Sequence, residues 1–434
     1  MNLRALRVLA LAGLLLPTAA EARRMGVYDY PFVSPLAATV AATPPANRAV
    51  MPTDLEISVL AENRFLRVFP DRAVPEVFWY FGRGLPYALY RQPDRRAPLF
   101  FVIGGTGAGY DATKTRVMVR ALYQAGFHVV SLPNPTHSSF IVTASEDGVP
   151  GRLKEDAADL YRAMRMIAEE LEGQVEVDGY YLGGYSLGGT HAAFVSWLDD
   201  QEGRLGFEKA LVINPPVSLF NSVGILDDML DRHLRADPQG VSGLIDRIFA
   251  QMTELYDVRE RIDFSDPNFI YRAYTLLEPP ERELEVLIGL AFRLTSNDMG
   301  FTSDVMTNAG YVVPKDAQLT ATTSLTDVFL QGMGLRFIDF FQDVYVPFAI
   351  DRRPEVTREE LIREASLYAI DGYLRRAERV VMLGTADDVI LAPGEIDYLE
   401  DVFGERARIF PTGGHCGSMD QREFVAAMLE LLAD

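Results

Sequence analysis

The chain has one cysteine, Cys416, in 434 residues. No intrachain disulfide can form. Histidine is scarce as well, with five: His128, His137, His191, His233 and His415. No His, Cys and carboxylate cluster has the spacing of metal ligands, so no metal is expected. Positive charge is in deficit, with 41 Lys and Arg against 61 Asp and Glu and a formal net charge of −20. Phosphate backbones and anionic lipid surfaces repel such a chain, and nucleic acid is not an expected partner. The N-terminal apolar run, Val8 to Leu16, falls well short of the roughly 20 residues that span a bilayer. No stable membrane span is expected, and no internal repeat is visible. Apolar residues, by contrast, make up 48% of the chain, enough for a large core.

The first residues have the layout of a secretory signal. Arg4 and Arg7 form a basic start, Val8 to Leu16 the apolar run, and Ala20-Glu21-Ala22 a small-x-small cleavage site. Residues 1–22 are expected to be a cleaved signal, with the mature chain starting near Arg23. Export without disulfides fits a bacterial periplasm or the medium better than a eukaryotic secretory route.

Residues 23–60 are rich in Pro and Ala without a clear period, and suggest an extended segment wrapping the core. From there strand-like and helix-like stretches alternate. Strands are expected at 97–105, 127–133, 177–184 and 209–217, and helices at 112–125, 153–172 and 187–199. That alternation predicts a mostly parallel sheet with helices on both faces. It stops at 221–376, which reads as helices and loops with long apolar stripes. One stripe, 327–348, carries Phe329, Leu330, Met333, Leu335, Phe337, Phe340, Phe341 and Tyr345. Thr357 to Glu360 is a capping box. A strand and turn are expected at 378–390 and a strand and loop at 406–417, and Ser418 to Gln421 are expected to cap a last helix. The simplest division is 1–22 signal, 23–96 N-terminal extension and first strands, 97–220 first part of the core, 221–376 helical cap, and 377–434 second part of the core.

The stretch YLGGYSLGGTH, residues 181–191, places four glycines around Ser186, between a strand and a helix. Gly184-Tyr185-Ser186-Leu187-Gly188 fits G-x-S-x-G. In a nucleophile elbow the serine sits on a sharp, strained turn, and bulk two positions either side would collide with the neighbouring helix and strand. Gly183 and Gly189 thin the backbone further. Taken alone, the same glycines also suit a tightly packed turn. A nucleophilic serine needs a base, and the base an orienting acid. His128 and His191 lie in a strand and a helix and read as packing residues. His233 sits among charges and reads as solvated. His137, in a loop at the C-terminal edge of the sheet, reads as solvated or as lining a cleft. His415, in the glycine loop after the last strand, is the candidate base. Catalytic groups of open α/β sheets gather at that edge. Cys416 reads as packing.

GGYSLGG, GTADDVI and GGHCG, in this order and each after a strand, resemble the α/β-hydrolase superfamily. The resemblance covers 97–217 and 378–432 and names no subfamily. It implies an α/β-hydrolase fold with a helical cap inserted between late core strands, at 221–376. It implies Ser186 as nucleophile, His415 as base and, three residues past Gly384, Asp387 as acid, with Asp388 the runner-up. It implies an oxyanion hole from the amides of Leu187 and, in Gly104-Gly105-Thr106-Gly107, of Thr106. The His-Gly common there in the family is absent.

No cofactor is expected. Gly107-x-Gly109-x-x-Ala112 fits a dinucleotide fingerprint, but no acidic residue closes the next strand. A phosphate-binding loop fails because Thr113, not Gly, precedes Lys114. The expected partner is a small-molecule or lipid-like ester. Peptidase, acyltransferase and a non-catalytic binding protein remain open, as do the natural substrate and the oligomeric state.

Overall fold

A computed structural model describes residues 23–24, 28, 30–235, 243, 250 and 268–433. The expected signal, 1–22, lies outside the described residues. Among the described residues nine strands form one sheet: β1 (Arg23–Arg24), β2 (Glu62–Leu66), β3 (Leu85–Tyr90), β4 (Arg96–Ile103), β5 (His128–Leu132), β6 (Glu176–Tyr185), β7 (Lys209–Ile213), β8 (Val380–Thr385) and β9 (Ala407–Phe410). Their order is β1-β9-β8-β7-β6-β4-β5-β3-β2. β2 with β3 and β3 with β5 run antiparallel. The other pairs are parallel. This is the α/β-hydrolase fold, a mostly parallel sheet flanked by helices.

The strand sequences follow from burial on both faces. β5 and β8 are buried at every position. A strand covered on both sides reads as a continuous apolar run rather than an alternation. Helices Leu153–Leu171 and Leu187–Glu202 cover one face, with Leu160, Met164, Phe194 and Leu182 in one core cluster. Helices Thr113–Gln124 and Arg422–Ala433 cover the other, with Met118, Leu122, Phe100 and Phe424 in a second. In Leu153–Leu171 the buried positions recur at helical spacing, 153, 156, 157, 160, 164 and 167.

The N-terminal stretch departs from the extended reading. It contains helices Pro35–Ala41 and Asp54–Leu60. The second opens on a capping box, in which Thr53 Oγ1 accepts from the Glu56 amide and the Glu56 carboxylate from the Thr53 amide. That Thr-x-x-Glu signal was visible in the sequence. The capping box expected at Thr357 and Glu360 is present. At the last helix, Gln421 Oε1, not Ser418, accepts the first amides.

Between β7 and β8 the described residues form helices and no strand, including Leu219–Leu234, Phe269–Leu277 and Glu281–Thr307. The 327–348 stripe is not one helix. It breaks at Gly334 into Thr326–Met333 and a second helical stretch from Phe337. Phe340, Phe341 and Tyr345 pack against Met299 and Leu361, while Phe329 and Leu330 are exposed. The fully buried Arg293 ties these pieces together. Its Nη2 lies 2.8 Å from Asp231 Oδ1 and 3.3 Å from Asp227 Oδ1, and Nη1 donates to Met333 O at 3.2 Å. The Asp227 carboxylate also accepts the amides of Phe337 and Ile338.

Two glycines give a direct test of the packing. A Cβ on Gly188 would lie 2.2 Å from Gly104 O, whereas one on Gly224, in helix Leu219–Leu234, would meet nothing within 4 Å. Gly188→Ala should therefore lower Tm by many degrees. Gly224→Ala should be neutral or stabilising by up to about 1 kcal/mol. Thermal unfolding of both variants checks this, and similar Tm values would contradict the packing.

Candidate active site

β6 ends at Tyr185 and the next helix begins at Leu187, so Ser186 alone makes the turn. Its backbone lies at φ 53°, ψ −132°. A non-glycine residue there costs of order 1–3 kcal/mol, and persists only where the surroundings enforce it. They do so here. The Ser186 amide donates to Ile213 O at 2.8 Å. A Cβ on Gly184 would sit 2.4 Å from Gly188 O. The two glycines let strand and helix meet at bare backbone.

His415 stands across from Ser186, its Nε2 2.9 Å from Ser186 Oγ. Its Nδ1 is 3.0 Å from both carboxylate oxygens of Asp388. This corrects the assignment of Asp387. The Asp387 oxygens accept the amides of Gly413 at 3.1 Å and Gly414 at 2.9 Å, so this side chain ties down the loop that carries His415. Asp388 is buried, and its remaining capacity is filled by Asn214 Nδ2 at 2.8 Å and the Ile390 amide at 3.1 Å. Counting from Gly384 could not separate two adjacent carboxylates, because the turn after β8 decides which one faces the histidine.

Electrostatics follow the geometry. Burial alone would depress the His415 imidazole, but the Asp388 charge and hydrogen bond outweigh it and raise the pKa above its ordinary value. Burial raises the Asp387 carboxyl, against the two glycine amides that stabilise its anion.

The Gly104 to Gly107 loop faces Ser186. The Gly104 amide reaches Leu132 O at 3.5 Å and the Gly107 amide Thr136 Oγ1 at 2.8 Å. The Thr106 amide has no acceptor among the described residues. The Leu187 amide, at the N-terminus of its helix, has none either. Two free N–H groups beside a serine hydroxyl are what a developing oxyanion requires.

Several contributors were not singled out from the sequence. Asn214 orients Asp388. Asn134 Nδ2 donates to Gly104 O at 2.7 Å, and Thr136 Oγ1 to Asn134 Oδ1 at 2.7 Å, bracing the Gly104 loop. The N-terminal segment holds the histidine loop. Thr39 Oγ1 accepts the His415 amide at 2.9 Å, and Thr43 Oγ1 donates to Gly417 O at 3.2 Å. A Cβ on Gly417 would lie 1.9 Å from Ala38 O. The Asn-Pro-Thr run before His137 was the one visible hint; Thr39 is 376 residues from its partner and left none.

The other histidines have structural partners. His128 Nδ1 accepts the Gln92 amide and Nε2 faces Arg95 O. His191 is buried, with Nδ1 3.3 Å from Asn134 Nδ2. His233 is not simply solvated; its Nε2 lies 2.7 Å from Glu285. His137 is half-buried and caps the helix Ser138–Thr143 by accepting the Ser139 amide. Cys416 is buried, 3.9 Å from His415 Nε2, at φ 57°. No group of three or more potential metal ligands occurs among the described residues.

Above Ser186 lies a cleft of about 320 Å³. Leu219, Val223, Leu226, Ile288, Phe292 and Phe337 form much of its wall. Phe292 and Phe337 stack at 5.1 Å. From the 327–348 stripe, Phe337 alone lines it.

No family model matches the chain, and no curated protein matches it. Among solved structures, a membrane phospholipase A described as a bacterial virulence factor is similar at 15% identity and TM-score 0.41, covering 86% of each chain. A proline iminopeptidase-related protein from Thermus thermophilus is similar at 16% identity and TM-score 0.38, covering 86% of this chain and 97% of that one. A thioesterase domain from the curacin biosynthetic pathway is similar at 10% identity and TM-score 0.38, covering 86% and 99%. The α/β-hydrolase fold is given independently of them by the strand order.

The two carboxylates act on His415 unequally. Removing the Asp388 charge should lower the imidazole pKa, so that the ring loses its proton at lower pH. Asp387→Asn should move it far less. NMR titration of the protein labelled at histidine nitrogen reads both, and the reverse order would restore Asp387.

Proposed function

We propose that the protein is an exported serine hydrolase that cleaves ester-type bonds of apolar acyl groups. The observation that carries this reading is the continuous chain from Ser186 Oγ through the His415 imidazole to Asp388, at the floor of an apolar cleft. In this reading His415 Nε2 takes the Ser186 proton as Oγ attacks the carbonyl carbon. The carbonyl oxygen gains the negative charge and is held by the Thr106 and Leu187 amides. Asp388, oriented by Asn214, favours the imidazolium form. The imidazolium then gives its proton to the leaving-group oxygen as the C–O bond breaks. Water, deprotonated by the same imidazole, attacks the acyl carbon; the bond to Ser186 Oγ breaks, Oγ takes the proton back from the imidazolium, and the acid leaves.

The same relay serves peptidases and acyltransferases. The apolar wall favours esters with an apolar acyl chain. A binding protein on this fold would have no use for the strained Ser186 turn and the aligned relay. Export rests on the sequence of residues 1–22 alone.

Two measurements test the proposal on the purified protein. Ser186→Ala should keep the native Tm and lose hydrolysis of p-nitrophenyl esters by roughly 10⁴-fold or more. Each methylene buried in the cleft adds about 0.8 kcal/mol, or about fourfold. Thus kcat/KM should rise from acetyl to at least a medium acyl chain. Normal turnover by Ser186→Ala would end the serine reading. A steady fall from acetyl onward would end the apolar-acyl reading alone.

A further inference from the structure

The cleft wall holds one lysine, Lys114, in the first turn of helix Thr113–Gln124. Its setting differs from that of its neighbours. Arg116 and Arg120, on the same helix, both face Asp54 at 3.6 Å. Lys114 has no carboxylate within ion-pair distance among the described residues. Its Nζ makes one described hydrogen bond, to His415 O at 3.3 Å. An ammonium has three donors, so two remain for solvent or a ligand. Lys114 is also half-buried, which makes leaving the charge unmatched more costly than on an open surface.

Position adds direction. In the proposed reaction the leaving-group oxygen takes its proton from His415, so the leaving group departs on the imidazole side. Lys114 contacts the backbone of His415 itself. The acyl chain has the apolar wall around Phe292 and Phe337; the cation stands apart from that wall in chemistry. The overall charge of −20 repels anions at long range. A local cation is what would let an anionic substrate settle in such a chain.

Resting on the hydrolase reading above, we infer that Lys114 is a specificity-determining residue that receives an anionic group, carboxylate or phosphate, on the leaving-group side of the substrate. The preferred substrate is then an ester with an apolar acyl chain and an anionic alcohol or phenol part.

Three hexanoyl esters test this: those of methyl 4-hydroxybenzoate, 4-hydroxybenzoate and 4-hydroxyphenyl phosphate. The protein should favour the anionic members, and the larger of the two preferences identifies carboxylate or phosphate. Lys114→Met should lower the ratio of anionic to neutral kcat/KM by about tenfold, and Lys114→Arg should retain it. Added salt should shrink the native ratio. An unchanged ratio in Lys114→Met overturns the inference. So does an equal fall for all three esters, which would mean that Lys114 only supports the His415 loop. Calorimetric binding of the same esters to Ser186→Ala, with and without Lys114→Met, reads the contact without turnover. A tenfold loss confined to the anionic esters supports it even if the hydrolase reading fails, and no difference overturns it.

Discussion

Everything at this site depends on holding Ser186 at φ 53°. The strained turn lifts the hydroxyl off the end of β6 toward His415 and starts the next helix, so that the Leu187 amide comes free beside it. Strain of order 1–3 kcal/mol is a sizeable part of a net stability of about 5–15 kcal/mol. It is offset by close backbone packing that only glycine permits at Gly184 and Gly188, and by burial of β6 between β4 and β7. The sheet therefore stabilises a conformation that the serine would not adopt by itself.

His415 is held by a different logic. The His415 loop bends through Gly413, Gly414 and Cys416, all at positive φ. Asp387 fastens it from within, and Thr39 from the N-terminal segment. Asp388 is then free to face the imidazole, with Asn214 fixing its orientation. Two adjacent aspartates thus have separate tasks, one on the backbone and one on the ring. The helices between β7 and β8 are tied together by another buried charge, Arg293, whose Asp227 partner also receives the amide of the cleft residue Phe337.

The parts that were legible in the sequence are those that leave a local pattern, even where the neighbour that requires it is distant. Apolar runs at β4, β6 and β8, the 3.6 period of 153–172 and the glycines around Ser186 are each written in a few consecutive residues, although Gly188 packs against Gly104. The choice between Asp387 and Asp388 was not legible, because it turns on how one bend after β8 meets a loop 26 residues on. Thr39 and Asn214 were invisible for a stronger form of the same reason, since their partners are far along the chain. The break at Gly334 was hidden by an apolar pattern that continues across it. His233 and His137 acquired partners only through tertiary packing.

The central claim is that Ser186 is made nucleophilic by His415 and Asp388. The most direct measurement is peptide-level mass spectrometry after exposure to a fluorophosphonate, which reports the modified residue itself. The account predicts a single adduct on Ser186 that forms rapidly in the native protein and far more slowly in Asp388→Asn. No adduct on Ser186, or one that forms equally fast in the variant, would contradict it.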